Sequence, residues 1–475
     1  MKIKIFNSIL NNPNSSITVK SISALHIVKF HSLFVKKNFK FFLIIHKILK
    51  VLILNNIYYF YKTLKGNNTN TKKVSEKKVL IISHIINKKH LNSEQDFYYG
   101  NFENVLKKMN KSFFKIMINH TKYSSSYLNL KNKYKNSYIL EKDLDFSSEV
   151  NIFTKKMLAI FELVSLLVNK KINFKIFLIL TASLFDSSTS FSLRMYYQIK
   201  DYVKKIKPDY CILTYEGYTW ERMCIKGIKT INPKIKCIGY QHTPVTNNHH
   251  AIFNYISGNF NPDKIWCSQN TSYRILRERV KSKKKDNVHL IGSFKKIIIK
   301  KLKNKKKDKF LVIPEGIYSE CENLFKFTLN LAKKFKNFNF IWRVHPVIDF
   351  TKVLNNLNLN EKDVPKNIKI SNDEFDHDVY KSTYVIYKGS AAVLKSVLMG
   401  NYPIYFKSNN EKNFDPLKDF FNKKNYFSNE KEFLLLLKKI QSKKYKKEIK
   451  NKVLSIKKNI FLKPNLQKIK KHLAK

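Results

Sequence analysis

Two carboxylates lie in the segment TYEGYTWE, residues 214–221, which directly follows an apolar stretch. Glu216 precedes Gly217, and a glycine lets the backbone bend at the turn between a strand and a helix. A carboxylate held in such a turn can take the proton of an attacking hydroxyl group. The alternative for Glu216 is a carboxylate that only accepts hydrogen bonds from the amides that open a helix. Glu221, one helical turn later, is expected to support the site or to cap the helix.

A histidine follows the next apolar stretch, in the segment GYQHTP of residues 239–244. His242 is a candidate acid or base, or a ligand for a phosphate or carboxylate group, and Gln241 before it is expected to support the site. A loop histidine that bonds only to the backbone is the alternative. His249 and His250 come shortly after, but the sequence offers no third residue at a spacing that suits a metal ion. We therefore predict that no metal takes part.

An arginine and a histidine stand two residues apart in the segment WRVHP, residues 342–346. Side chains two apart on a strand point to the same face, so Arg343 and His345 are expected side by side. Together they can hold the phosphate of a leaving group, the arginine through its charge and the histidine by donating a proton. Pro346 is expected to fix the turn. An exposed loop at the end of a strand is the alternative.

The segment YKGSAAVL runs from a predicted strand into a predicted helix. The amides of the helix and the hydroxyl of Ser390, beside Gly389, form an anion site to which Lys388 adds charge. An ordinary serine N-cap predicts the same local geometry and is the alternative. A weaker candidate for a loop contact follows an earlier strand, at Glu315 and Gly316.

The sequence lacks the motifs of several common enzyme classes. It contains no GxxxxGK[ST], GxGxxG, GxSxG or HExxH, so those phosphate-loop, dinucleotide, hydrolase and zinc-protease sites are not predicted. Two DxD strings occur at residues 143–145 and 376–378. Neither follows an apolar strand, so we do not interpret them as metal–nucleotide sites.

The composition combines a large apolar fraction with an extreme positive charge. Hydrophobic residues make up 43% of the 475 residues, which excludes a mostly disordered chain. Lys and Arg number 91 against 34 Asp and Glu, a formal net charge of +57. A polyanionic partner is one explanation. However, the excess is mostly lysine, spread along the whole chain together with Asn, Ile, Phe and Tyr, which favours compositional drift. Nucleic acid is therefore an unexpected partner, whereas weak attraction to an anionic membrane surface stays open.

The cysteines and two apolar segments bear on the compartment. Five widely spaced cysteines without a CxxC pair are interpreted as buried small residues in a reducing cytoplasm. Residues 41–61 contain lysines that disfavour a membrane span, so the alternatives are an interfacial helix and a helix packed on the protein. Residues 157–185, interrupted by lysines, predict one or two buried helices. No cleavable signal peptide is evident. We expect a cytoplasmic protein, with peripheral contact to the inner face of the membrane as an open extension.

Short apolar strands alternate with helical segments in two series, separated by a lysine-rich stretch. This alternation predicts an α/β protein with two doubly wound domains, whose ligands bind beyond the carboxyl ends of the strands. Two facing domains leave a cleft, which suits an enzyme that joins two substrates. The predicted divisions are a basic, helical N-terminal extension at 1–75, an N-terminal Rossmann-like domain at 76–295, a C-terminal Rossmann-like domain at 309–430 and basic C-terminal helices at 431–475.

In this order, the polar clusters make the chain similar to the two-domain GT-B glycosyltransferases. It looks closest to bacterial surface-carbohydrate biosynthesis proteins that are similar to sialyl- and polysialyltransferases and to glycerophosphotransferases. Glu216 with Gly217 resembles the acidic motif that supplies the base in the sialyltransferase-like families. His345 with Pro346 resembles their histidine–proline motif, and Ser390 resembles their later serine/threonine motif, both of which hold the nucleotide phosphate.

The resemblance covers roughly residues 78–410, with three departures. The acidic motif has one Glu, the third motif has one Ser, and Lys395 stands where many GT-B proteins carry a ribose-binding acid. The resemblance implies an inverting, metal-independent glycosyltransferase without a cofactor. Such an enzyme transfers a sugar from a nucleotide-activated donor to a cell-surface polysaccharide or glycolipid acceptor. The alternatives are a polyol-phosphate transferase of CDP-glycerol type and a non-enzymatic basic protein that binds anionic lipid or nucleic acid.

Overall fold

The computed structural model divides the chain into two compact units. The described residues are 2–26, 76–93, 95–132, 136–247, 249–280, 286–295, 309–345, 348–407, 414–421 and 424–474. The first unit comprises Met1–Ser268, Ser272–Lys295 and Lys463–Lys475, and the second comprises Gln269–Thr271 and Lys296–Leu462.

Seven short strands form the sheet of the first unit: β1 Val79–Ile85, β2 Phe113–Asn119, β3 Ser137–Ile139, β4 Tyr210–Thr214, β5 Lys236–Gln241, β6 Lys264–Cys267 and β7 Val288–Leu290. All neighbours run parallel, in the order β3-β2-β1-β4-β5-β6-β7. Both β1 and β2 are buried along their whole length. This is the pattern of parallel strands that are covered by helices on both faces.

The helices of the first unit connect and cover these strands. They are α1 Lys2–Asn11, α2 Ile17–Lys20, α3 Phe102–Lys108, α4 Ser125–Leu130, α5 Phe146–Val168, α6 Phe174–Leu184, α7 Ser187–Ile206, α8 Thr219–Ile231 and α9 Asn270–Arg279, with short 3-10 turns at Ser23–Leu25, Lys88–Asn92 and Ala251–Phe253. Among them, α5 and α6 begin at side-chain caps, because Asp145 accepts from the amide of Ser148 and Asn173 from the amide of Ile176.

Six parallel strands form the sheet of the second unit: β8 Lys309–Ile313, β9 Asn339–Trp342, β10 Ile368–Ile370, β11 Tyr384–Tyr387, β12 Tyr402–Phe406 and β13 Tyr426–Phe427. Their order is β10-β9-β8-β11-β12-β13. The remaining helices are α10 Tyr318–Lys334, α11 Phe350–Asn356, α12 Phe375–Lys381, α13 Ala392–Leu398, α14 Lys418–Phe421, α15 Glu430–Gln441, α16 Lys443–Ile460 and α17 Leu466–His472, with a 3-10 turn at Glu361–Asp363.

Both strand orders follow the doubly wound Rossmann pattern. In each sheet the chain winds outward in one direction through three strands, then crosses back beside the first strand and continues in the other direction. The switch point lies between β1 and β4 in the first unit and between β8 and β11 in the second. The fold class is therefore α/β with two doubly wound, Rossmann-like domains, as predicted.

The sequence predicts strands at 368–370, 384–387 and 402–406, and these are the bounds of β10, β11 and β12. The sequence did not indicate β3 or β13, which are three and two residues long.

The two ends of the chain differ in part from the expected divisions. Within the N-terminal extension, α1 and α2 are helical, whereas the apolar segment 41–61 and the polar linker lie outside the described residues. The stretch 431–475 is helical, as predicted, but its helices do not all belong to the same unit. Its first two helices belong to the second unit, and α17 belongs to the first. Within the first unit, the indole of Trp266 donates to His472 of α17 at 2.9 Å.

The prediction of buried helices at 157–185 is correct for α6 and wrong for the outward side of α5. Buried residues of α6 include Ile176, Ile179 and Leu180, whereas Phe161 and Val168 of α5 are each 71% exposed.

All five cysteines are buried, as predicted. In the described ranges, no single helix is long and apolar enough to cross a bilayer. The helices α6 and α7 meet this length and composition only when they are counted together across a 57° bend.

Candidate active site

The predicted polar residues of the first unit gather at one edge of its sheet. Because β1, β2, β4 and β5 are neighbours and parallel, the segments that follow them lie at the same carboxyl-terminal edge. The switch point between β1 and β4 is included, which is where open α/β sheets bind their ligands. Glu216 and Gly217 follow β4, and His242 follows β5, so the structure brings these predicted residues together.

The carboxylate of Glu221 builds the turn that carries Glu216. It accepts hydrogen bonds from the backbone amides of Glu216 at 2.9 Å, Gly217 at 2.8 Å and Tyr218 at 2.8 Å. Burial raises the pKa of the Glu221 carboxyl, and these amide donors act in the opposite direction. Glu221 is thus a supporting and capping residue, and the side chain of Glu216 remains half-buried at the edge.

The same turn requires glycine and is tied down by an arginine. Gly217 has φ = +86°, and a Cβ atom at this position would lie 2.6 Å from backbone atoms of Ala251 and Ile252. Arg222, which is fully buried, donates to the carbonyl oxygens of Ala251 at 2.6 Å and Asn254 at 2.9 Å. Sequence reasoning did not identify Arg222, because an arginine within a helix gives no sign that it reaches distant carbonyls.

A threonine and a glutamine hold the carboxylate of Glu216. The hydroxyl of Thr243 donates to Glu216 Oε1. The buried side-chain amide of Gln241 donates in turn to the hydroxyl of Thr243 at 3.2 Å and to its carbonyl oxygen. Gln241 was predicted as a supporting residue and lies in place for it. Thr243 was missed, although it stands next to His242 in the same loop.

Two further histidines line this edge and were not predicted. Nδ1 of His84, near the end of β1, lies 2.8 Å from Nε2 of His120, which follows β2. Nε2 of His84 lies 3.0 Å from the hydroxyl of Thr214. Burial lowers the pKa of both imidazoles. A polar residue near the end of an otherwise apolar strand, as in VLIISHI, was the available signal for His84.

His242 and an aromatic pair complete the cluster. Burial and the charge of Lys295 lower the pKa of His242 to about 3, so its imidazole is neutral at physiological pH. The ring of Tyr98 lies 5.0 Å from that of His242 and 4.8 Å from that of His84. Trp220 meets His84 edge-on at 5.0 Å. Burial and the charge of Glu216 raise the pKa of the Tyr98 hydroxyl to about 12.

The loop that carries Tyr98 is anchored by a buried acid. Asp96 accepts from the hydroxyl of Ser83 at 2.8 Å, and from the backbone amides of Tyr98 at 2.8 Å and Tyr99 at 2.9 Å. The cluster therefore contains the carboxylate of Glu216, three imidazoles with lowered pKa values and aromatic walls, while the carboxylates of Glu221 and Asp96 hold the loops. Such groups can exchange hydrogen bonds with hydroxyl groups, but the imidazoles do not offer a permanent positive charge.

In the second unit, two predicted loops meet at the switch point between β8 and β11. A Cβ atom placed on Gly389 would lie 2.2 Å from Glu315 Oε2, and Gly389 has φ = +70°. Only glycine fits in this close approach. The structure therefore brings together Glu315, Gly316, Lys388, Gly389 and Ser390 at the carboxyl-terminal edge of the second sheet.

Lys388 and Ser390 differ in their surroundings from the expected anion site. Lys388 is buried, with Nζ 5.9 Å from the ring centre of Phe406. Ser390 does not cap α13; the N-cap position is Ala391, which makes no side-chain bond. The alternative, an ordinary serine N-cap, is therefore wrong, and α13 has only seven residues. The side chain of Ser390 is buried, at 9% exposed.

Arg343 is held by an acid. Its Nη1 donates to Asp378 Oδ2 at 2.7 Å and to the carbonyl oxygen of Asp373 at 2.5 Å. Asp378 is 1% exposed and also accepts from the hydroxyl of Ser371. Asp378 thus balances much of the charge of Arg343, and phosphate binding by this arginine stays a prediction.

The two remaining predicted residues are His345 and Pro346. His345 is half-buried after β9, next to the loops of the switch point, and its carbonyl oxygen accepts from the amide of Ile348 at 2.9 Å. Pro346 lies outside the described residues. Lys395, which departs from the GT-B pattern, pairs with Asp376 at 2.5 Å. Across the described ranges, no group of three His, Cys, Asp or Glu residues is placed to hold a metal ion.

No protein-family model matches the chain, and no curated protein matches it in sequence. Among solved structures, it is similar to the glycosyltransferase of kitacinnamycin, with 7% identity and a TM-score of 0.48 over 84% of this chain and 99% of that one. It is also similar to CalG4, the calicheamicin glycosyltransferase, with 7% identity and a TM-score of 0.47 over 84% and 98%.

A third similar structure is the UDP-GlcNAc 2-epimerase from Neisseria meningitidis bound to UDP-GlcNAc, with 12% identity and a TM-score of 0.46 over 80% and 98%. The strand orders of the two sheets, rather than these overall similarities, define the fold class of this chain.

Proposed function

We propose that the protein is an inverting, metal-independent glycosyltransferase that uses a nucleotide-activated sugar. The acceptor is a hydroxyl group of a cell-surface polysaccharide or glycolipid. The first unit binds this acceptor, and the second unit binds the nucleotide of the donor. The proposal rests on the polar residues at the two switch points. In the first unit, a carboxylate lies there with hydroxyl-binding partners. In the second unit, a buried lysine lies there in a loop that contains glycine.

In the proposed reaction, Glu216 is the base. The acceptor oxygen attacks the anomeric carbon while Glu216 takes its proton, and the bond between that carbon and the nucleotide phosphate breaks. The electron pair of the broken bond leaves with the nucleotide, and the protonated carboxyl later releases its proton to water. The Thr243 bond positions the carboxylate, and the neutral imidazoles of His84 and His242 orient hydroxyl groups of the acceptor.

The proposed nucleotide site uses the loops after β8, β9 and β11. The buried Lys388 and the hydroxyl of Ser390 suit the phosphate oxygens, and His345, in the loop after the neighbouring strand β9, is assigned to donate a proton to them. The carboxylate of Glu315 suits ribose or sugar hydroxyls, because an ionised carboxylate only accepts hydrogen bonds. Arg343 is assigned to positioning, since Asp378 holds it.

Nucleotide binding is the first test. Thermal unfolding is followed with CMP, CDP, UDP and GDP, and one of them should stabilise the protein by mass action, by about 2.7 kcal/mol at a hundredfold excess over Kd. Lys388→Met and Ser390→Ala should weaken that nucleotide's affinity. Lys424→Met is the matched control, because Lys424 lies before β13 at the opposite edge, where it pairs with Glu448. Equal affinity in all variants would contradict the assignment.

Transfer is the second test, with the nucleotide sugar identified by the first. Glu216→Gln should lower turnover by roughly a hundredfold to ten-thousandfold, the usual contribution of a general base, and leave nucleotide affinity unchanged. Glu278→Gln, an exposed position in α9, makes the same charge change and should keep full activity. If Glu216→Gln is as active as wild type, Glu216 is not the base.

The mass of the product separates the proposed reaction from its alternatives. Addition of a sugar to the acceptor supports the proposal. Addition of a polyol phosphate from a CDP-polyol would assign the same phosphate site to the alternative transferase. Conversion of the donor to its epimer without any acceptor would contradict transfer altogether.

A further inference from the structure

The outward side of α5 carries a continuous apolar stripe. Successive members are three, four or seven residues apart and so fall on one side of a helix with 3.6 residues per turn. They are exposed by between 36% and 71%: Phe146, Val150, Met157, Phe161, Val164 and Val168. A soluble helix normally turns such residues inward. Here the opposite side of the helix is already buried, through Ile152, Ala159, Leu163 and Leu166.

The turn from α5 into α6 continues the stripe and adds positive charge. Phe174, the first residue of α6, is 56% exposed. Lys170, Lys171 and Lys175 are exposed around it. Within the described residues, none of these three lysines forms an ion pair with a carboxylate, so their charges face solvent.

Acidic residues of α5 offset only part of this charge. The helix has two of them. Glu149 is bonded to the buried Arg194 at 2.5 Å, and Glu162 accepts from the backbone amide of Ser16 at 3.2 Å. Leu158, 61% exposed, joins the stripe to a cavity of about 380 Å³, whose lining has the two lysines Lys155 and Lys200 against the one acid Glu162. The stripe therefore has positive surroundings at its C-terminal end, where the α5–α6 turn lies.

We propose that this surface, the α5 stripe with the α5–α6 turn, docks the protein on an anionic lipid bilayer. Apolar side chains along one side of a helix, with lysines beside them, match the interface of a bilayer, where the side chains enter the acyl region and the lysines meet headgroups. The proposal is independent of the sugar transfer and concerns only attachment. A second copy of the chain would be a poor occupant, because like charges would face one another.

The test must separate insertion from simple charge attraction, because a chain of net charge +57 adsorbs to any anionic surface. The full chain is mixed with phosphatidylcholine vesicles that contain about 30% phosphatidylglycerol, and bound protein is separated by flotation. Sodium chloride at about 0.5 M screens the charge attraction and leaves burial of apolar side chains. Wild type should remain partly bound at this salt concentration.

Phe161→Ser/Val168→Ser should lower the partition coefficient at high salt by roughly tenfold or more, since two apolar side chains no longer enter the bilayer. Leu130→Ser/Leu466→Ser is the matched control. It removes exposed apolar residues of the same unit that lie outside the stripe, 86% and 48% exposed, and leaves the net charge unchanged. The control should bind as wild type does.

A second pair of variants addresses the lysines. Lys170→Gln/Lys171→Gln/Lys175→Gln should weaken binding at low salt more than Lys107→Gln/Lys108→Gln/Lys204→Gln, which removes the same charge from exposed positions elsewhere in the unit. Equal weakening by both triple variants would show that the turn has no special role and would overturn that part of the proposal.

Two results would overturn the whole proposal. One is equal partitioning of wild type and Phe161→Ser/Val168→Ser at high salt. The other is a dimer in sedimentation that becomes monomeric in Phe161→Ser/Val168→Ser while vesicle binding stays the same, because the stripe would then be covered by a second copy of the chain.

Discussion

Gly217→Ala is the change that most directly tests how the turn of Glu216 is built. The glycine has φ = +86°, and a Cβ atom at this position would lie 2.6 Å from backbone atoms of Ala251 and Ile252. Alanine at this position must therefore adopt an unfavourable backbone conformation and also displace neighbouring backbone.

The backbone cost and the steric cost can be estimated one at a time. A left-handed conformation costs a residue with a side chain about 1–2 kcal/mol. Forcing an extra carbon into filled space costs about 1–3 kcal/mol more. Together, these two costs should lower the free energy that is needed to open the turn locally by about 2–5 kcal/mol. Turnover should fall as well, because the displaced turn carries Glu216.

Gly258→Ala is a closely matched control. Gly258 has φ = +87°, but a Cβ atom there would approach the ring of Phe260 no closer than 3.5 Å, an ordinary contact. It should therefore show the backbone cost alone. The difference between the two variants isolates the close approach at Gly217.

Hydrogen exchange of backbone amides is the suitable assay, because it reports opening region by region. Amides of α8, which follows the turn, should exchange faster in Gly217→Ala than in Gly258→Ala, while peptides of the second unit act as an internal reference. Equal protection of α8 in the two variants would refute the steric reasoning.

Three further changes have definite expected outcomes. Thr243→Val removes the hydroxyl that donates to Glu216, so turnover should fall about tenfold with unchanged nucleotide affinity, as steady-state kinetics and calorimetry would show. Asp378→Asn weakens the bond to Arg343, and urea unfolding should show a loss of about 1–3 kcal/mol. Burial lowers the pKa of His26 from 6.5 to about 3, so only the unfolded chain gains a proton as the pH falls from 7 to 5. The unfolding free energy of wild type relative to His26→Gln should therefore drop by about 2 kcal/mol over that range, and a constant difference would contradict the burial of a neutral imidazole.

Sequence patterns were sufficient for the strands that are buried on both sides. Continuous apolar runs such as those of β8 and β11 are visible without any structure, because both faces of these strands are covered by helices. The alternation of such runs with helical segments was enough to predict two doubly wound domains. Patterns missed β3 and β13, which are three and two residues long.

The candidate site was predictable where chemistry follows directly on a strand. Glu216, His242 and Ser390 all stand just after a strand, at the edge where parallel sheets bind ligands. The roles of His84, Tyr98 and Thr243 were not predicted, although Thr243 also follows a strand closely. Their role depends on which strands become neighbours and on contacts across a sheet edge.

Local sequence also misjudged residues whose role depends on distant partners. Arg343 has the residue type of a phosphate ligand, but Asp378, 35 positions later in the chain, engages its guanidinium. The apolar run of α5 predicted a buried helix, because hydrophobicity reports a preference for an apolar environment and not which side of a helix finds one.

The amino-acid sequence alone therefore determined the α/β class, the number of domains and the loops at the strand ends that carry polar side chains, because these follow from local periodicity. Tertiary structure decided the strand order, the neighbours at each switch point, the balanced charge of Arg343 and the exposed stripe of α5. These features arise from contacts between segments far apart in the chain, and no local pattern encodes them.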